Sequence, residues 1–209
     1  MGRSATWISV LALVLWVTAC NAGENGKSYN GISWGFSRTW WSADANNEGY
    51  PAAGNAGAMV ELRRVRMLND RVAFSPYLQY FWMRSTITTL ICDTCYGETV
   101  TERSFFREID LGFNLHLFPV KSCDEFYIGG GPSVRWGQAA RREAGTATNT
   151  FTAKAAWFGV TVLAGIRTPL YGTSIAFFEP QFTFSPDQAD RWQAIYPPDK
   201  MSVHMGVLW

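Results

Sequence analysis

The chain has 209 residues, enough for one domain or two small ones, and its 18 basic and 17 acidic side chains nearly cancel. That balance excludes a nucleic-acid partner, which would need a basic excess. The composition is ordinary for a folded protein except in its aromatics: ten Trp, eight Tyr and fourteen Phe, residue types that favour strands and membrane–water interfaces.

Residues 1–19 stand apart. Arg3 is their only charge, and an apolar stretch follows from Trp7 to Val17, too short and too terminal for a spanning helix; it reads as a signal peptide. The stretch ends in Val17-Thr18-Ala19-Cys20, which resembles the lipobox of bacterial lipoproteins and marks Cys20 as the expected lipidation site. Cleavage after a small residue such as Ala22 is the alternative. Residues 20–28 are then a periplasmic linker, and without Arg3 seventeen basic groups balance seventeen acidic ones. Beyond the signal, the longest uncharged apolar-rich run covers residues 155–166, twelve residues where a spanning helix needs about 20. An exported chain without such a helix is either soluble or a β-barrel.

The remaining sequence alternates with period two, which puts successive side chains on opposite faces of a strand. In the first strand, residues 29–41, Ile32, Trp34, Phe36 and Trp40 alternate with Gly31, Ser33, Gly35 and Ser37. In the second, 57–68, Val60 and Leu62 oppose Glu61 and Arg63; Arg64 and Arg66 break the apolar face and are expected to snorkel to periplasmic headgroups. In the third, 71–89, Val72, Phe74, Leu78, Tyr80 and Trp82 alternate with Ala73, Ser75 and Gln79. In the fourth, 99–118, Ile109, Leu111, Phe113, Leu115 and Leu117 alternate with Glu108, Asp110, Gly112, Asn114 and His116. The fifth, 125–138, sets Phe126, Ile128, Val134 and Trp136 against Tyr127, Ser133 and Arg135. The sixth, 155–168, sets Phe158, Val160, Val162 and Ile166 against Thr161 and Arg167. The seventh, 174–185, sets Phe178, Phe182 and Phe184 against Glu179, Gln181 and Thr183. The eighth, 200–209, sets Met201, Val203, Met205, Val207 and Trp209 against Ser202, His204, Gly206 and Leu208.

Eight strands with alternately short and long connections predict an up-and-down antiparallel barrel spanning residues 29–209, with both termini on one side. Short links are expected at 69–70, 119–124 and 169–173, and long ones at 42–56, 90–98, 139–154 and 186–199. One face of every strand is bulky and apolar; eight strands enclose little more than their own side chains, so that face must point outward, into lipid. The other face supplies an interior charge network of Glu61, Arg63, Glu108, Asp110, Arg135, Arg167, Glu179 and His204, which is either a salt-bridged plug or an ion path. Pro76, Pro132 and Pro180 fall inside strands of a barrel that has no edge, so either bulges or strand positions shifted by one residue are expected there.

The alternation, the loop pattern, the terminal Trp209 and strand segments such as Tyr127-Ile128-Gly129-Gly130-Gly131 and Leu163-Ala164-Gly165-Ile166-Arg167 resemble the small eight-stranded outer-membrane β-barrels of the OmpA/OmpX type. The resemblance covers about residues 28–209. It implies a bacterial outer-membrane location, surface binding, adhesion or an envelope-stabilising role, no cofactor and no catalytic residue. The partners it implies are outer-membrane lipid, the barrel assembly machinery and an extracellular protein or surface ligand, met by a monomer. Val203, Met205, Val207 and Trp209 resemble the assembly signal of such barrels.

Other motifs carry less. Cys92-Asp93-Thr94-Cys95 offers only half the ligands of a closed zinc site and reads as a disulfide across a loop tip, with no metal. Cys123 falls at the opposite end of a hydrocarbon core about 30 Å thick, so a Cys92–Cys95 bond and a free Cys123 are expected. Gly129-Gly130-Gly131 lacks the Lys-Ser/Thr and helix of a phosphate loop and reads as strand glycines that leave room inside the barrel. Ser202 and His204 share one strand face and are the one tempting catalytic pair, giving an alternative function as a lipid-modifying hydrolase. A lipid-tethered soluble ligand-binding barrel is the other alternative. The loops, with Arg141-Arg142-Glu143, Tyr50, Tyr96, Trp192 and Tyr196, offer either a solvated surface or a binding one. Residues 84–104 are strand-like far beyond what a membrane needs and point either to a protruding hairpin with its tip at Cys92 and Cys95 or to an irregular loop without a partner.

Overall fold

The computed structural model describes residues 27–40, 56–90, 99–119, 125–143, 151–185 and 199–209. Period-two sequence becomes eight strands: β1 (Ser28–Trp40), β2 (Ala56–Asn69), β3 (Val72–Leu90), β4 (Thr99–Leu117), β5 (Phe126–Glu143), β6 (Phe151–Pro169), β7 (Ile175–Phe184) and β8 (Asp199–Leu208). Each pairs antiparallel with the next, and β1 closes on β8 from Gly31↔Leu208 to Trp40↔Asp199. Every strand thus has a neighbouring strand on both edges, the condition for crossing a lipid phase with strands.

The turns gather at what is here called the lower rim. Between β2 and β3 the backbone N–H of Arg71 donates to Asn69 Oδ1 at 2.8 Å, a local side-chain turn, and the β2–β3 register shifts between Met67 and Asn69. Between β6 and β7, Gly172 holds φ at +70°, a conformation that favours a residue without Cβ.

Three expectations are corrected here. No bulge forms at the strand prolines: β2–β3 pairing lapses beside Pro76, β4–β5 beside Pro132 and β6–β7 beside Pro180, and each register resumes unchanged. A missing N–H interrupts one ladder without adding a residue. The stretch 139–154, read as a loop with Arg141-Arg142-Glu143 in it, is mostly strand: β5 continues to Glu143 and β6 starts at Phe151. The triple glycine does not leave room either. A Cβ on Gly131 would stand 1.8 Å from the carbonyl oxygen of Phe113, so this glycine lets β4 and β5 approach.

The outside of the barrel is apolar, with Trp34, Phe36, Val162 and Ile166 at least half exposed, while Glu61, Arg135, Glu179 and His204 inside are at most 1% exposed. That inversion overturns the soluble ligand-binding barrel, which would put the apolar set inside. The interior is layered. Met59, Phe81, Met83, Phe106, Ala139 and Trp157 form an apolar cluster toward the upper rim. Val65, Ala73, Phe118, Tyr127, Leu163, Phe177 and Leu208 form a second toward the lower rim. The charged groups lie between them.

Candidate functional site

Two features qualify as candidate sites: the polar layer inside the barrel and the tall side above it. The polar layer comes from side chains that point inward because each strand places its odd or even set there. Arg63 on β2 is its lower hub. Its guanidinium donates from Nη1 and Nη2 to the two carboxylate oxygens of Glu179 at 3.0 and 2.7 Å, and from Nε to Glu61. Tyr127 Oη and Gln181 Nε2 also donate to Glu179, each at 2.6 Å. The Arg63 guanidinium lies 4.4 Å from the ring centre of Phe177, which closes it from below.

Lys200 on β8 and Arg135 on β5 make the upper hub. Lys200 Nζ donates to Glu108 at 2.9 Å and to Gln79 Oε1 at 2.8 Å, and stands 3.7 Å from Asp110. Arg135 Nη2 donates to Glu108 at 2.8 Å, and its Nη1 to Ser185 Oγ at 2.8 Å. Arg167 sits lower and outside this layer, its guanidinium 4.4 Å from the ring centre of Phe118. Three buried cations, Arg63, Arg135 and Lys200, face four buried carboxylates, Glu61, Glu108, Asp110 and Glu179, so each acid has a cation close by, as a low-dielectric interior requires. The arrangement lies between the two apolar layers of the lumen.

Sequence reasoning missed Lys200, which lies at the expected start of the last strand, and it missed both apolar layers. A signal for the layers was present: Tyr80-Phe81-Trp82-Met83, Phe105-Phe106 and Phe177-Phe178 interrupt the alternation with consecutive apolar residues. In a strand, such a run must place one member inside.

Ser202 and His204 do come together: His204 Nε2 and Ser202 Oγ are 3.1 Å apart. On the other side of the ring, His204 Nδ1 is 3.6 Å from Glu61 Oε2, outside hydrogen-bond reach. Both Ser202 and His204 are at most 1% exposed, so a substrate carbonyl has no approach to the serine. Among the described residues no cluster of His, Cys, Asp and Glu has a metal-holding arrangement. Cys20, Cys92, Cys95 and Cys123 lie outside the described residues, as do Tyr50, Tyr96, Trp192 and Tyr196. Val203, Met205, Val207 and Trp209 face outward along β8, and Trp209 exchanges two backbone hydrogen bonds with Asn30, at 2.8 and 2.9 Å.

The tall side is the second candidate. β3 and β4 have 19 residues each and pair without a break from Val72↔Leu117 to Leu90↔Thr99. β5 follows β4 up to Glu102↔Glu143, and β6 follows β5 up to Arg141↔Phe151. Among the described residues, the β2–β3 ladder ends at Gly57↔Met83 and the β6–β7 ladder at Val160↔Phe184. A wall of four strands therefore rises on one side, where a single hairpin was expected.

No family model matches the chain, and no curated protein matches it in sequence. Among solved structures it is similar to Ail, the attachment invasion locus protein of Yersinia pestis, with a TM-score of 0.52 and 11% identity over 88% of this chain and 98% of that one. The same protein in complex with the heparin analogue sucrose octasulfate gives 0.52 and 10% over the same shares. Neisserial surface protein A gives 0.48 and 11%, over 88% and 98%. The likeness to Ail is one of fold: the chain is a small eight-stranded barrel of the outer-membrane type.

Proposed function

We propose that this chain is a bacterial outer-membrane barrel, with both termini in the periplasm, that presents its tall side as a binding surface for an extracellular protein or surface ligand. The signal peptide, lipidation at Cys20 and the Cys92–Cys95 bond belong to the same proposal.

One observation carries it. A strand needs 9–11 residues to cross a bilayer, and β7 and β8 have 10 each, whereas β3, β4 and β6 have 19 and β5 has 18. The surplus of about eight residues, at about 3.4 Å each and tilted by about 45°, stands roughly 20 Å clear of the membrane. A protein that only sealed or stiffened the envelope has no use for that height. Among the described residues, 84–90 of β3 lie beyond its ladder with β2, and a strand edge of this kind can pair with an incoming strand. Ail, whose fold this chain shares, forms a complex with the heparin analogue sucrose octasulfate, which accords with ligand binding by a barrel of this fold. The buried Ser202–His204 pair gives the hydrolase alternative no accessible nucleophile.

The test replaces residues 86–102 with a short turn. The shortened barrel should still insert into the outer membrane, while binding of cells bearing it to host-cell or matrix surfaces is lost. Binding that survives the replacement unchanged refutes a role for the upper β3–β4 part of the wall.

A further inference from the structure

Above the apolar belt, the outer face of the wall turns basic. The outward row of β3 passes from Tyr80 and Trp82 to Arg84, that of β4 from Ile109 to Arg107, Phe105 and Arg103, that of β5 from Trp136 to Gln138, Ala140 and Arg142, and that of β6 from Phe158 to Lys154. The registers lay these rows side by side: Trp82↔Arg107, Arg84↔Phe105, Arg107↔Gln138, Arg103↔Arg142 and Gln138↔Lys154. The outward rows of β3, β4, β5 and β6 contain no Asp or Glu among the described residues. Five cations therefore share a face without a carboxylate, and Arg103 lies directly opposite Arg142, a pairing of like charges that destabilises a sheet unless an anion bridges it.

Phe105 organises the patch. The guanidinium carbons of Arg84 and Arg142 lie 5.7 and 5.6 Å from its ring centre. A groove of about 350 Å³ opens on one side of it, lined in part by Tyr80, Trp82, Arg84 and Arg107. Another of about 310 Å³ opens on the other, lined in part by Arg107, Gln138 and Arg142. Arg107 borders both.

The height of the patch selects its occupant. Arg84 lies twelve residues above Val72 on β3, and Arg107 lies ten above Leu117 on β4. At about 3.4 Å per residue and a tilt of about 45°, they stand roughly 24–29 Å above the lower rim, at the top of an apolar band about 25 Å tall. Tyr80 and Trp82, stacked with ring centres 5.7 Å apart, lie just beneath, where interfacial aromatics belong. Side chains pointing sideways at that level meet the headgroups of the leaflet, and planar guanidinium groups bind phosphate through paired hydrogen bonds.

We propose that Arg84, Arg107 and Arg142, arranged about Phe105, form a binding site for a phosphate-bearing lipid headgroup of the outer leaflet, with its acyl chains lying against Tyr80 and Trp82. The proposal rests on the membrane placement given above, and its test keeps the two apart. The full barrel is reconstituted in nanodiscs of phosphatidylcholine containing a minor fraction of a diphosphorylated glycolipid. The lipid that stays bound after transfer to detergent is measured by native mass spectrometry, and insertion is read separately from the heat-dependent gel mobility of each sample. Wild type should retain the phosphorylated lipid. R84Q/R107Q should retain about tenfold less. R64Q/R66Q, which removes the same charge from the outer face of β2 near the lower rim, should match wild type. Should the double variant fail to insert, the single substitution R142Q reads the same site. Retention by R84Q/R107Q at the wild-type level, or an equal loss in R64Q/R66Q, overturns the site. Complete displacement of the lipid by inorganic phosphate or by soluble sucrose octasulfate overturns the lipid assignment in favour of a soluble anion. Failure of wild type itself to insert counts against the membrane placement that the site requires.

Discussion

Arg63 shows what a single buried cation does in this barrel. It faces two carboxylates, Glu61 and Glu179, and its side chain is 2% exposed. In Arg63→Leu both acids stay in the lumen without their main partner. Breaking a buried pair in this way costs about 3–5 kcal/mol. The urea midpoint of the refolded barrel, followed by tryptophan fluorescence, should fall accordingly. Arg63→Lys keeps the charge but loses the planar fork that spans both acids, and should fall by less. Arg64 is one residue away but points outward, where Nε donates to Ser28 Oγ at 2.9 Å; Arg64→Gln should change the unfolding free energy by no more than about 0.5 kcal/mol. Equal effects at positions 63 and 64 would contradict the inward placement of the charge layer.

The last strand decides closure. β8 pairs with β7 on one edge and β1 on the other, and the mutual bonds of Trp209 and Asn30 fasten the lower end of the β1–β8 seam. Trp209 is 53% exposed on the lipid-facing side, at the level where aromatic anchors sit. An aspartate there places charge against the interface and weakens the final turn of a strand whose loss would leave two open edges in lipid. Trp209→Asp should therefore deplete the protein from the outer-membrane fraction on immunoblots, and Trp209→Phe should restore it. Normal amounts of the Asp variant in that fraction would show that β8 needs no anchor. Elements of the tall side behave differently: the surplus of β3 and β4 stands above the belt, so shortening it should spare insertion.

For the whole molecule, closure and the layered interior predict resistance to detergent. Every strand has two neighbours, and the polar layer is shut between two apolar ones. The unheated protein in sodium dodecyl sulfate should keep its barrel and migrate apart from the boiled sample. Carbonate washing should leave it in the membrane pellet. Extraction by carbonate with no mobility change on heating would refute a spanning barrel, whatever the fate of the binding surface.

The sequence by itself determined the number of strands, their order and which face of each meets lipid. Those follow from period two, a local property that any half-buried strand must show. β1 to β4, β7 and β8 accordingly begin and end within one residue of their expected positions. β5 and β6 run further because their upper parts, with Arg141-Arg142-Glu143, read as polar loop; pairing with β4 and with each other holds them as strand. Only the tertiary structure decided what met what inside. That Arg63 reaches Glu179 across 116 positions of sequence, or Lys200 reaches Glu108 across 92, depends on strand tilt and register around a closed ring. The same is true of the outer basic patch. Arg84, Arg107, Arg142 and Lys154 belong to four separate strands, and no local pattern announces that pairing will gather them on one face with no carboxylate among its described residues.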